Sequence, residues 1–145
     1  MSAAKPNAWQ TEVLLAHCAL ARPAAGGCGW CGGSLPPRRK RWCSEACGDG
    51  FWRNHWWTMA RREAKRRDGR RCVRCGHGPE KRPRGGGIAL RTWRAIRLKD
   101  RLEVNHIRAC EGRHGSLSCS HHLDNLETLC VSCHAEHTRA LIAAR

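Results

Sequence analysis

The 145-residue chain has no tyrosine and a single phenylalanine. Hydrophobic residues make up 41% of it, but much of that share is cysteine, alanine and tryptophan. A core built from these is thin, and thin cores need cross-links. The N-terminus lacks the apolar stretch of a secretory signal, and no run approaches the roughly 20 residues of a membrane span. These absences predict a reducing, cytoplasmic setting with no membrane contact, where close cysteine pairs read as metal ligands rather than disulfides. Acidic residues are also scarce: 12 Asp and Glu face 27 Lys and Arg, for a net charge of +15. The excess is largely arginine and is clustered, which favours a nucleic-acid partner over a chain merely kept soluble by its charge.

The chain is rich in metal-ligand residues, with 11 cysteines and 9 histidines. Residues 1–26 read as a flexible tail with one or two helical turns, in which His17 and Cys18 have no partner at metal spacing. Residues 27–49 carry two pairs, Cys28/Cys31 and Cys43/Cys47. Two thiolates two residues apart can face one tetrahedral Zn²⁺, so these four predict a structural zinc module, with Gly29, Gly32 and Gly33 in a tight knuckle. Residues 50–68 predict one basic amphipathic linker helix. Its aromatic face (Trp52, His55, Trp56, Met59, Ala60) packs against the zinc module, as helical aromatic stripes usually do. Its other face, Arg61, Arg62, Lys65, Arg66 and Arg67, is a candidate phosphate-contacting surface.

Residues 69–145 hold the second set. Cys72 and Cys75 pair with Cys130 and Cys133 across most of this half, predicting a second structural zinc that staples a small α+β domain. "IALRTWRAIRLKD" reads as helix, "RLEVNHI" as a short strand ending near His106, and "HLDNLETLCVSCHAEHT" as a turn into a C-terminal helix.

A strand-end His106, a loop Asn125 and a helix His134 held around a four-cysteine clip resemble the HNH endonuclease family, the ββα-metal nucleases. The resemblance covers roughly 71–141, on "CVRC", "VNHI", "LDNLETLCVSC" and "CHAEHT". It implies a ββα-metal nuclease core that hydrolyses DNA phosphodiester bonds. In that pattern His106 is the general base and Asn125 holds the loop and orients the base. His134 ligates a catalytic divalent ion, and Asn105 occupies the second ligand position. His137, one helical turn after His134, is a further candidate ligand. The ion would be Mg²⁺ or Mn²⁺, with Ni²⁺ and Zn²⁺ as other candidates. The N-terminal zinc ribbon or knuckle is similar to the front half often attached to bacterial or phage HNH proteins, implying a nucleoid-associated or phage-encoded intracellular protein.

The chemistry suits the residue types independently. An imidazole can take a proton from water near neutral pH, and a divalent ion can stabilise charge on phosphate. One departure stands out: Asn105 is neutral where the family commonly has a carboxylate, which predicts weaker ion binding. Cys110 and Cys119, with His114, His121 and His122 nearby, are candidates for a third zinc, and His121 or His122 could instead line the active site. A non-catalytic zinc-dependent DNA-binding module is the competing function, and a structural zinc protein that recruits a partner is a third. No dimer interface is legible.

Overall fold

The computed structural model describes residues 8–78, 101–110 and 114–144. The helix expected over "IALRTWRAIRLKD" lies outside these residues. The chain forms two compact units, one of residues 1–63 with 108–125 and the other of 64–107 with 126–145. Residues 108–125, inside the expected 69–145 nuclease domain, thus belong with the N-terminal half.

In the first unit, helix α1 spans Ala8–His17. Thr11, Leu15 and Cys18 are buried, so this segment is a packed helix of nearly three turns and not a loose tail. The knuckle follows. Gly32 sits at φ +74°, and a Cβ there would meet the Arg22 carbonyl oxygen at 2.5 Å, so only glycine fits this turn. Helix α2 spans Glu45–His55, with Ser44 as its N-cap accepting from the Cys47 N–H.

The single linker helix expected over 50–68 is two helices. Trp56 leaves helical geometry (φ −98°, ψ 112°) and closes α2, and α3 begins at Trp57 and runs to Arg67. The break divides the aromatic stripe. The one phenylalanine, Phe51, is fully buried with rings around it: His55 at 4.5 Å, Trp52 at 4.9 Å and Trp42 at 5.0 Å between centroids. Aromatic packing of this kind supplies the apolar burial that the missing aliphatics do not. Trp57 stacks on His114 at 4.6 Å and lies 5.3 Å from His121.

The second unit is built on a two-stranded antiparallel sheet. Strand β1, Leu102–His106, pairs with β2, Leu126–Cys130, in the register Leu102↔Cys130 to His106↔Leu126. Within the expected turn into a helix, "LDN" is a 3-10 turn and "LETLC" is a strand, paired residue by residue with β1. Helix α4, Val131–Ala143, follows directly and packs on both strands. The core here is small: Cys72, Leu102, Leu129 and Cys130, with Cys133 against it. Polar ties hold the backbone. The Asp68 carboxylate accepts from the Thr128 N–H at 3.0 Å, Lys65 Nζ donates to the Leu102 carbonyl at 2.7 Å, and Arg67 donates to the Leu126 carbonyl at 2.7 Å. Lys65 and Arg67, expected on the phosphate-contacting face, are thus bound to hairpin carbonyls, whereas Arg61, Arg62 and Arg66 are exposed.

Candidate metal centres and polar site

In the knuckle, Cys28, Cys31, Cys43 and Cys47 present sulfurs within 4.8 Å of one another, with Cys31–Cys43 at 3.6 Å and Cys43–Cys47 at 3.5 Å. The Gly33 N–H reaches Cys31 Sγ at 3.4 Å. Burial pushes the Cys28 thiol up, but the backbone N–H groups of Cys31, Cys43 and Trp30 outweigh it and bring the thiol down to about 6. Crowding by the other sulfurs pushes Cys43 up to about 12. Four thiols so placed cannot all ionise without a cation among them, and Zn²⁺ is the ion such a donor set suits.

The second unit repeats the chemistry. Cys72, Cys75, Cys130 and Cys133 also lie within 4.8 Å, Cys75 and Cys130 at 3.7 Å. The 72–77 turn closes through Cys72 N–H to His77 O at 2.6 Å and Gly76 N–H to Cys72 O at 2.8 Å, with Gly76 at φ +75°. The Val73 N–H bonds the Thr128 carbonyl at 2.9 Å, which docks the turn on β2. Burial raises the Cys72 thiol, yet the N–H groups of Cys130, Cys75 and Arg74 bring it to about 6.

A third cluster lies in the first unit: Cys18, His55, Cys119 and His122. Cys18 Sγ is 3.2 Å from His55 Nε2 and 3.5 Å from His122 Nε2, and the two Nε2 atoms are 3.0 Å apart. His55 Nδ1 lies 2.7 Å from the Phe51 carbonyl; a carbonyl only accepts, so Nδ1 carries the proton and Nε2 the lone pair. Burial lowers His55 to about 4 and lowers His122 as well, so both are neutral at pH 7. Cys18 is therefore not incidental, and Cys119 belongs with these three residues, a set that does not include Cys110. The signal available in the sequence was Cys119-x-x-His122, half of a two-Cys, two-His pattern. Its other half, Cys18 and His55, is split by 36 intervening residues.

Of the residues expected to be catalytic, Asn105, His106, His134 and His137 lie on β1 and α4 in the second unit, and Asn125 ends the 123–125 turn in the first. His134 Nδ1 donates to Glu103 Oε2 at 2.5 Å, and Arg101 pairs with the other Glu103 oxygen. The hydrogen bond from His134 is the main reason that the Glu103 carboxyl sits below its ordinary range. Two ligands of one octahedral ion at about 2.1 Å stand roughly 3 Å apart, so the shorter separation is a hydrogen bond between Glu103 and His134. It leaves His134 Nε2 with the lone pair. Asn105 shares the Glu103 face of β1 by strand alternation and donates through Nδ2 to Glu127 Oε1 at 3.0 Å, leaving Oδ1 as an acceptor.

Arg74 donates to Glu127 Oε1 at 2.9 Å and to His137 Nδ1 at 3.0 Å. A guanidinium cannot accept, so the proton of neutral His137 sits on Nε2, and in this arrangement His137 offers no lone pair to an ion. His106, 8% exposed, pairs across the sheet with Leu126 and projects to the face opposite Asn105. Asn125, 3% exposed, is a loop pin: Oδ1 accepts from the Arg108 N–H at 2.8 Å, and Nδ2 donates to the carbonyls of Arg108 at 3.2 Å and Ser120 at 2.9 Å.

No protein-family model, curated protein or solved structure matches this chain. It is a small α+β protein with several clusters of cysteine and histidine able to hold metal ions. Among the described residues no helix is long and apolar enough to cross a membrane. Glu103 and Glu127, which hold His134 and Asn105, are candidate-site residues that sequence reasoning missed. Nothing in their local sequence marks them until the register of the hairpin is known.

Proposed function

We propose that this protein is a metal-dependent endonuclease of the HNH type that hydrolyses DNA phosphodiester bonds. The observation that carries the reading is that a carboxylate stands behind each expected ligand. Glu103 orients His134 so that Nε2 is presented, and Glu127 orients Asn105 so that Oδ1 is presented. Carboxylates that hold the far side of metal ligands are a recurrent feature of metal sites. They also answer the departure at position 105, since the negative charge expected there is supplied by its neighbours in the sheet.

His134 and Asn105 would hold the divalent ion, which when bound supplies Lewis-acid stabilisation of charge on the phosphate. Mg²⁺ or Mn²⁺ suits the amide oxygen and the open positions left to water and substrate. His106, at the end of β1, takes the proton from the attacking water. Asn125 keeps the loop that leads into β2 in one conformation through its three hydrogen bonds. The exposed Arg61, Arg62 and Arg66 contact backbone phosphates without reading sequence.

One observation favours a second reading, a zinc-dependent DNA-binding module without catalysis. Arg74 places a cation against both Glu127 and His137, on the network that would surround the ion. Plasmid nicking separates the two. Supercoiled DNA is incubated with Mg²⁺, Mn²⁺ or Ni²⁺, with and without brief chelation that leaves the structural zinc in place as checked by metal content. The nuclease reading expects metal-dependent nicking that His106→Ala abolishes. A wild-type protein that binds DNA and never nicks it establishes the second reading, and a His106→Ala variant that cuts equally well overturns the role given to His106.

A further inference from the structure

We infer that Cys18, His55, Cys119 and His122 hold a third structural zinc that fixes the 118–125 loop on the end of α2. Three separate stretches of chain send soft or borderline donors to one point: the residue after α1, the last residue of α2, and both ends of a 3-10 turn at Cys119–His121 with its flank. Cys18, His55 and His122 are no more than 9% exposed. In a tetrahedral zinc site two imidazole nitrogens stand about 3.3 Å apart, and a nitrogen and a thiolate about 3.5 Å. The separations here are 3.0 Å between the nitrogens, and 3.2 and 3.5 Å from sulfur to nitrogen. The four-cysteine sites show the same slight contraction, with sulfurs at 3.5 to 3.7 Å where an ideal zinc site has about 3.8 Å.

His55 Nδ1 is committed to the Phe51 carbonyl, so its Nε2 is a single lone pair with two candidate donors, the Cys18 thiol and the His122 N–H. If the thiol takes it, the His122 N–H is left with Cys18 Sγ at 3.5 Å, a weak acceptor. Hydrogen bonding therefore pairs this cluster only weakly. A zinc ion satisfies all four donors together. The Phe51 carbonyl behind His55 is the outer partner that fixes the tautomer of a metal-binding imidazole.

The centre has a structural consequence within its own unit. The Ser118 N–H bonds the His55 carbonyl at 3.2 Å, the Leu123 N–H bonds Asn54 Oδ1 at 3.1 Å, and the Ser120 carbonyl is the acceptor for Asn125 Nδ2 at 2.9 Å. Ser120 lies between the two loop ligands, so the ion sets the position of the group that holds Asn125. This makes Cys18, His55, Cys119 and His122 positioning residues for the loop, and the inference stands independently of the nuclease reading.

The test is the zinc content and zinc X-ray absorption spectrum of the full-length protein. The wild type is expected to carry three zinc ions per chain, with nitrogen in the average ligand shell. Cys119→Ser and His122→Ala are each expected to carry one ion fewer and to lose that nitrogen signal, whereas His122→Cys retains three. Two ions per chain with a sulfur-only shell in the wild type overturns the inference, even if every variant fails to fold. Three ions in folded Cys119→Ser and His122→Ala also overturns it, because the third ion then sits elsewhere.

Discussion

Replacing Asn125 with alanine removes three hydrogen bonds at once. The Arg108 N–H loses its acceptor, and the Arg108 and Ser120 carbonyls lose their donor. Each bond contributes about 1 kcal/mol net, and each backbone group left dry costs about 1–3 kcal/mol. Asn125 is 3% exposed, but Arg108 is at the surface and water can re-pair part of its backbone. The expected loss is therefore about 2–4 kcal/mol, a large fraction of a small domain's typical 5–15 kcal/mol. Urea unfolding under saturating zinc measures it. With a slope of about 2 kcal/mol per molar, the midpoint falls by roughly 1–2 M. Asn125→Asp keeps an acceptor for the Arg108 N–H but sets a second carboxylate oxygen against two carbonyls, so near neutral pH it is at least as damaging as alanine. An alanine variant less than about 0.5 kcal/mol weaker than wild type refutes the reasoning. It would mean that the loop is held by other means and that any loss of cleavage comes from the chemistry.

Glu103→Gln keeps the shape but weakens the charge-assisted bond to His134; loss of such an outer partner is expected to lower metal activation of nicking about 10–100-fold, read as a rightward shift of the Mn²⁺ activation curve with folded structure retained. An unshifted curve would remove Glu103 from the site. Neutralising Arg61, Arg62 or Arg66 should each reduce the slope of log affinity against log salt by about 1, whereas Lys65→Gln and Arg67→Gln should lower stability with little change in slope; DNA binding at several salt concentrations separates the two groups. Burial works against ionisation of Asp68, but hydrogen bonds from Arg67 and the Thr128 N–H outweigh it and hold the carboxyl below its ordinary range. The stability it contributes is present above about pH 4 and is lost as pH falls through the lower folded value, so the difference between wild type and Asp68→Asn, unfolded side by side at each pH, should shrink in acid and would contradict this if it grew.

The two all-cysteine sites were legible before any fold was known, because cysteines with two or three residues between them place two ligands on one metal through local geometry alone. The β1 strand was legible too, since Leu102 and Val104 alternate with polar residues. Its partner was not: "LETLC" leads without punctuation into the helical "VSCHAEH", and only pairing with β1 makes it a strand. Likewise Trp52, His55 and Trp56 fit one long helical stripe, yet α2 ends at His55 and Trp56 is extended, a break that nothing in the local pattern marks.

Sequence by itself determined the basic charge, the demand for metal cross-links in a chain poor in aliphatics, and the ligand pairs whose spacing is short. Tertiary structure decided everything that depends on residues distant along the chain. Cys18 and His122 are 104 positions apart, so no spacing rule could join them. Glu103 and Glu127 acquire their places behind His134 and Asn105 only through a strand register, in which a shift of one residue would turn each of them to the opposite face.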